Sequence, residues 1–315
     1  MEELTLEITR QCLNQCLYCS STAMVRPSDP PLALEVIEEL IREAVGLGLR
    51  SLAISGGEPF LHPHIEHVLS SRWLRSVADV SLYTSGVVLG PRGTPDSLSS
   101  SLIDLARNAG VRLIFNIQSR FPEVHDGIVG ARGRWALTLS SMEAALDAGL
   151  SVECHLVPHA ANYASLKTTA EWLIQKGIQK VSFLRLVPQG YAAINRDKVE
   201  ISSPDTVELG RQLAELKCQA DNGTRYRLGV PFGTGTNNVC QAGVTKLIVR
   251  WDGTLFPCEA FKECGRPEFV LGKIGQTSLL EALRSAWAND TLKSLRAAAL
   301  GRDSCPAQLL YVKSS

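Results

Sequence analysis

The sequence has no apolar run of the ~18–20 residues that a bilayer-spanning helix requires. Its opening, MEELTLEITRQC, lacks the basic-then-apolar start of a secretory signal. It has no charge excess either, since 32 Lys and Arg balance 32 Asp and Glu. A nucleic-acid binder usually carries a basic stripe, and none is visible, so nucleic-acid partners are disfavoured and no membrane partner is expected. Low-complexity segments and repeats beyond alternating strand and helix units are also missing. These absences point to the cytoplasm, where thiols stay reduced. The nine cysteines are therefore expected to bind metal or do chemistry rather than form disulfides.

The 315 residues are 45% hydrophobic and 20% charged, an ordinary globular balance that permits a full-sized core. Strand-like runs alternate with helical periodicity. LTLEIT (4–9), LAIS (52–55) and runs beginning near 79, 111, 151 and 180 read as strands. Helical spacing covers 32–46, 97–108, 137–148, 164–175 and 204–220. Six such units imply a parallel sheet with helical crossovers. The expected fold is α/β, a partial (β/α)6 TIM-type barrel, with ligands at the carboxyl ends of its strands. The pattern changes near residue 221, where a turn-rich stretch begins. KLIVRWDGTLFPC then reads as a hairpin with Asp-Gly at its turn, followed by helices over 278–287 and 290–300. The expected domains are residues 1–221 and a small α+β extension, 222–315. Four cysteines in this short tail suggest that a metal holds it together.

Cys12, Cys16 and Cys19 form C-x3-C-x2-C directly after the first strand. Thiolates are preferred iron–sulfur ligands. Three of them on one loop can hold a 4Fe–4S cubane and leave one iron open, much as catalytic zinc sites keep an open position. A zinc loop would need a fourth ligand, and none follows within the loop. After the second strand come Gly56, Gly57, Glu58 and Pro59. Glycines allow close backbone approach, and an acceptor-rich edge suits an ammonium group.

This pairing of CLNQCLYC with GGEP resembles the radical S-adenosylmethionine (SAM) superfamily. The resemblance implies that Cys12, Cys16 and Cys19 hold a 4Fe–4S cluster whose open iron binds SAM. It also implies reductive cleavage of SAM to a 5′-deoxyadenosyl radical that abstracts a substrate hydrogen. An external one-electron reductant of the flavodoxin or ferredoxin type is implied with it. Tyr18 matches the family's aromatic residue near SAM, and Gly56–Pro59 match its receptor for the SAM amino group. Ser85, Gln118 and Ser119 fall at later strand ends where relatives contact SAM. Val129 stands where many relatives carry an arginine for the SAM carboxylate, with Arg132 or Arg134 as substitutes. Arg185, in FLRLVPQG, is read either as a carboxylate receptor for substrate or SAM or as half of a structural ion pair. His125 is read as orienting its loop, not as a metal ligand.

Cys240, Cys258, Cys264 and Cys305, with WDGTLFPC between the first two, resemble the SPASM or twitch extension. The resemblance implies an auxiliary 4Fe–4S cluster. The tail has fewer cysteines than a full SPASM extension, so one cluster is expected, with Cys264 as fourth ligand or an open iron. Structural zinc on the same thiolates is the alternative. Cys154 and Cys218 remain. Each is read as a small buried hydrophobe or as a catalytic thiol donating hydrogen to a substrate radical.

The leading functional expectation is modification of a peptide or peptide-like natural product, of the maturase or epimerase type. No leader-binding domain precedes the first strand, so a separate leader-peptide-binding protein is an expected partner. The alternative is a small-molecule dehydrogenase or rearrangement enzyme acting on an amino sugar or cofactor precursor. A non-catalytic metal-binding protein is a third class, against which GGEP and the open three-cysteine loop both argue.

Overall fold

The computed structural model describes residues 1–219, 226–228, 240–299, 305, 307, 310 and 311. Most of the turn-rich stretch expected at the domain boundary lies outside the described residues, and so does the side chain of Cys218.

Among the described residues eight strands run parallel in one sheet. Six are those expected: β1 (Glu3–Thr9), β2 (Ser51–Gly56), β3 (Asp79–Thr84), β6 (Arg112–Phe115), β7 (Val152–Leu156) and β8 (Lys180–Phe183). A small antiparallel hairpin, β4 (Val87–Leu89) and β5 (Pro95–Ser97), stands apart from the sheet. The parallel set is extended at both edges. β9 (Tyr226–Leu228) pairs with β8, and β10 (Lys246–Val249) pairs with β1. β10 then turns through Asp252-Gly253 into β11 (Thr254–Phe256), which pairs with β12 (Gly272–Lys273). The expected Asp-Gly hairpin is therefore present. It does not stand apart from the barrel but continues the barrel sheet past β1. A bare β1 edge would leave a row of backbone donors and acceptors unpaired. β10 fills that edge in register from Glu3 opposite Lys246 to Leu6 opposite Val249.

The crossovers are α1 (Leu34–Gly46), α2 (Ile65–Ser70), α3 (Ser100–Ala109), α4 (Pro122–Val129), α5 (Arg134–Asp147) and α6 (Leu166–Gln175). Two short turns, α7 (Tyr191–Ile194) and α8 (Arg196–Val199), lead into α9 (Ser203–Gln219). The tail adds α10 (Leu279–Ala288) and α11 (Asp290–Ala299). Helix α1 buries Ile37, Leu40, Ile41 and Ala44, an i, i+3, i+4, i+7 stripe that faces the sheet. Helix α10 starts with a reciprocal capping box between Ser278 and Glu281. The tail does not rely on a separate core. Phe261, Phe269, Leu279 and Leu283 join the same apolar cluster as Leu6, Leu52 and Leu82.

Side chains alternate along each strand. On β1, Leu4, Leu6 and Ile8 belong to the apolar cluster, while Thr5, Glu7 and Thr9 form the other, polar phase. The same split recurs on β7, where Val152, Cys154 and Leu156 are in the cluster and Glu153 and His155 line the lumen. The lumen is thus polar and charged.

Candidate functional site

The cysteine loop leaves β1 at Thr9 and is pinned on three sides. The Cys12 amide donates to the Met24 carbonyl, Gln15 and Leu17 donate to Val129 and Ile128 at the end of α4, and Tyr191 donates to the Cys19 carbonyl. The three thiols lie close enough for charge on one to disfavour charge on the next. Burial is the larger effect and raises all three, Cys12 to about 12. A metal binding here would therefore have to displace protons. Tyr18 lines the same cavity, its ring 5.8 Å from that of His159.

The Gly-Gly pair is needed for close approach, but to this chain's own backbone. A Cβ on Gly56, whose φ is +124°, would lie 2.3 Å from the Thr9 carbonyl oxygen, and one on Gly57 would lie 2.1 Å from that of Gln11. The amides of Gly57 and Glu58 donate to those same carbonyls. The two glycines thus fasten the end of β2 to the start of the cysteine loop, and both line the cavity. Glu58 is engaged within the protein itself. Its carboxylate is fully buried and accepts from Thr84 Oγ1 (2.8 Å), Ser85 Oγ (2.6 Å) and the Ser85 and Phe60 amides (2.8 and 3.3 Å). Four internal donors make it a clamp between β2 and β3. Burial raises its pKa, and the hydrogen bonds from Ser85 and Thr84 work against that shift. Pro59 is buried in the short turn that follows and does not reach the cavity. Ser85 does line it.

Gln118 and Ser119 are likewise engaged within the protein. Gln118 is fully buried, donating to the His155 carbonyl at 3.2 Å and accepting from the Val157 amide at 2.9 Å. Ser119 accepts from the Phe121 amide, and its carbonyl holds the Trp135 indole. Both brace the barrel top from outside the cavity, whereas Asn116, two residues earlier, lines it. His125 accepts the Gln118 amide on Nδ1 at 3.0 Å and so orients that loop; burial lowers its pKa to about 4. Val129 lines the cavity. Arg134 reaches the Leu13 carbonyl at 3.5 Å, beside the cysteine loop. Cys154 is corrected as a hydrogen donor. It lies on the helix-facing phase of β7, fully buried, with its sulfur 3.7 Å from that of Met142 on α5.

The second cysteine set packs, partly buried, against the apolar cluster. Cys258 donates to Glu259 at 3.1 Å and Cys264 to the Phe261 carbonyl at 3.0 Å. Burial raises Cys240, Cys258 and Cys264. Cys240 is close enough to Cys305 to feel its charge, and Tyr311 sits near Cys264, Cys305 and Cys258. Its hydroxyl lies 2.7 Å from the Ala260 carbonyl and 2.9 Å from Gln189 Oε1. Among the described residues no three His, Cys, Asp or Glu side chains form a set ready to hold a single metal ion. The fit to cubanes rests instead on the first loop's three mutually interacting thiols, and on Cys258 and Cys305 of the second set, all of which line the same open space.

That space is one cavity of about 830 Å³. Its wall carries Cys12, Cys16 and Cys19, then Gly56, Gly57 and Ser85, then Arg185, and then Cys258 and Cys305. Sequence reasoning missed the polar residues that join the two cysteine sets. Lys262 is buried against Glu7 of β1 and Ser21 of the cysteine loop, with Ser21 Oγ at 2.8 Å and Ser21 donating to Glu7 at 2.5 Å. Lys246 pairs with Glu259 at 3.1 Å, and Thr5 donates to Glu259 at 2.5 Å. Gln189 donates to the Glu259 carbonyl at 2.6 Å. The one signal in the sequence was the acidic residue at an inner position of LTLEIT.

A parallel half-barrel whose one cavity is lined by Cys12, Cys16 and Cys19 and by Cys258 and Cys305 has the arrangement of an iron–sulfur enzyme. The radical SAM superfamily model matches residues 6–173, more than half of the chain, and a SPASM iron–sulfur cluster-binding domain model matches residues 240–307. The chain belongs to the radical SAM superfamily. It is an enzyme that uses SAM and a 4Fe–4S cluster, with an auxiliary cluster domain at its C-terminal end. It is similar to a GTP 3′,8-cyclase of Microcystis aeruginosa, 29% identical over 306 residues, 90% of this chain and 85% of the cyclase. It is similar also to a PqqA peptide cyclase of Ruegeria pomeroyi, 25% identical over 258 residues, 81% of this chain and 66% of that protein. The fold matches Streptococcus suis SuiB bound to SAM, with a TM-score of 0.74 over 99% of this chain and 74% of SuiB at 16% identity. SuiB has also been solved with its precursor peptide SuiA.

Proposed function

We propose that Cys12, Cys16 and Cys19 ligate the SAM-binding cluster, that Cys240, Cys258, Cys264 and Cys305 ligate the auxiliary one, and that the substrate is a peptide. The division of labour falls near residue 221, SAM chemistry before it and the auxiliary cluster after it. The observation that carries the reading is the single 830 Å³ cavity whose wall holds thiols of both sets. A cluster at the first loop, when bound, supplies one-electron cleavage of SAM to a 5′-deoxyadenosyl radical. The chain's own residues hold the geometry. Gly56 and Gly57 bring β2 against the loop and put their backbone on the cavity wall, where carbonyls can accept from the SAM ammonium group. Glu58 fixes β3 so that Ser85 stays at the rim. Tyr18 and Val129 give SAM an apolar flank. The Lys262–Glu7–Ser21 cluster ties the tail to the cysteine loop and so sets the spacing of the two thiol groups.

The peptide substrate draws support from the likeness to peptide cyclases and from a fold shared with a peptide-binding enzyme. An external flavodoxin- or ferredoxin-type reductant and a separate leader-binding protein complete this reading. Among the described residues no helix is long and apolar enough to cross a membrane. The 29% identity to a GTP cyclase favours a second reading, a small-molecule rearrangement. The test is anaerobic reconstitution followed by quantitation of iron, sulfide and 5′-deoxyadenosine. About eight irons are expected per chain, four for each thiol set. Cys16→Ala should abolish 5′-deoxyadenosine and keep about four irons in the tail. Full 5′-deoxyadenosine production by Cys16→Ala refutes the ligand assignment. Turnover of GTP, with no peptide from reading frames beside the gene consumed, selects the second reading.

A further inference from the structure

We propose that Arg185 is the receptor for a substrate carboxylate, which makes the preferred substrate a peptide with an acidic side chain or a free C-terminus beside the reacting residue. This rests on the peptide reading above.

Arg185 follows β8 by two residues and lines the cavity. Among the described residues it is the one partly buried cation there without an ion pair. Arg112 meets Asp79 and Glu153, Lys180 meets Glu153, Lys246 meets Glu3 and Glu259, and Lys262 meets Glu7. Arg227, on the edge strand, is exposed to water. Arg185 has no ion pair among the described residues, and its buried Nη1 has no hydrogen-bond partner. Cys305 is its neighbour on the same wall. A half-buried guanidinium with an idle donor is a poor structural element, because a desolvated donor without a partner costs free energy. It is a good receptor for a carboxylate, whose two oxygens match its planar fork.

Two observations select the ligand. Arg185 sits by Cys305 of the auxiliary set, whereas Arg134 lies beside the SAM loop and interacts with Cys12. The group that meets Arg185 is therefore the substrate's rather than the SAM carboxylate. Apart from Arg227 at the exposed edge, the other lumen cations among the described residues are neutralised by carboxylates, which leaves Arg185 as the free positive charge inside this wall. One charge suits a single carboxylate. A triphosphate would need several.

The experiment uses the full reconstituted chain, the wild type and Arg185→Gln and Arg185→Lys variants with matching iron content. Each is titrated with fluorescently labelled hexapeptides in pairs that differ only by Asp against Asn, Glu against Gln, or free against amidated C-terminus. SAM binding is read in parallel by equilibrium dialysis. The wild type should bind acidic members more tightly than their amides by about tenfold, the value of one charge-assisted hydrogen bond. Arg185→Gln should erase that preference, Arg185→Lys should keep part of it, and SAM affinity should stay unchanged in both. An acidic preference that survives Arg185→Gln overturns the assignment and leaves the peptide reading standing. Weakened SAM binding in Arg185→Gln, with the peptide preference intact, overturns it in favour of the SAM carboxylate. A wild type that binds no peptide of either kind but binds GTP overturns the peptide reading and this proposal together.

Discussion

Lys262→Met should destabilise the protein sharply, and adding Glu7→Gln should restore most of the loss. Lys262 and Glu7 are 5% and 1% exposed, and their charges face each other with Ser21 across the junction of tail and barrel. Removing one member of a buried ion pair leaves a desolvated charge behind and costs about 3–5 kcal/mol. With an unfolding entropy of roughly 2 cal/mol/K per residue, that loss lowers the melting temperature of this chain by roughly 5–8 °C. The variant Lys262→Met/Glu7→Gln removes both charges. The amide that takes the place of the Glu7 carboxylate can still accept from Ser21, so this variant should melt within about 2 °C of the wild type, since a neutral replacement of a buried pair is often tolerated. Anaerobic differential scanning calorimetry on chains matched for iron content reads all three proteins. The wild type and Lys262→Met melting together would refute the reasoning, because a pair that can be broken freely is solvated rather than buried. A double variant no better than Lys262→Met would refute it as well, since the loss would then come from Lys262 packing alone.

Gly57→Ala should lower SAM-cluster iron and 5′-deoxyadenosine yield together, because its Cβ would meet the Gln11 carbonyl oxygen at 2.1 Å and push the cysteine loop off β2; iron analysis with a 5′-deoxyadenosine assay checks this, and normal values in both would contradict it. His125 keeps a folded pKa of about 4 against an ordinary 6.5, so its neutral form contributes stability that is present above pH 6.5 and lost as pH falls toward 4. His125→Gln should therefore flatten the acid limb of the stability–pH curve over that window, and an unchanged limb in a denaturant series would assign the acid sensitivity elsewhere. Cys154→Ala should cost about 1 kcal/mol of stability through lost packing on Met142 while leaving product formation intact; loss of product with SAM cleavage retained would return Cys154 to the reaction.

What could be read from the sequence was local, and what could not be read depended on partners far along the chain. The six strands, the Asp-Gly hairpin and the Cys12, Cys16 and Cys19 loop are short patterns whose meaning is complete within a few residues. Cys154 lay within reach too, because in SVECHLV it shares the phase of Val152 and Leu156 rather than that of Glu153 and His155, and phase on a strand decides the face. Glu58 was beyond reach. A carboxylate after two glycines is chemically suited to an ammonium ligand, and nothing nearby shows that Thr84 and Ser85, 26 and 27 residues later, will occupy it. Gln118 followed the same course, a polar residue at a strand end whose acceptor and donor are taken by the backbone of β7 and the residue just past it. The junction of barrel and tail shows the effect most fully. Glu7, Ser21 and Lys262 are separated by up to 255 positions, yet they meet because β10 closes the open edge of β1 and carries the tail back over the cysteine loop. A polar residue at a strand end is therefore a ligand contact only when no distant donor or acceptor has claimed it. By that criterion Arg185 stands apart from Glu58 and Gln118, since its Nη1 has no hydrogen-bond partner among the described residues.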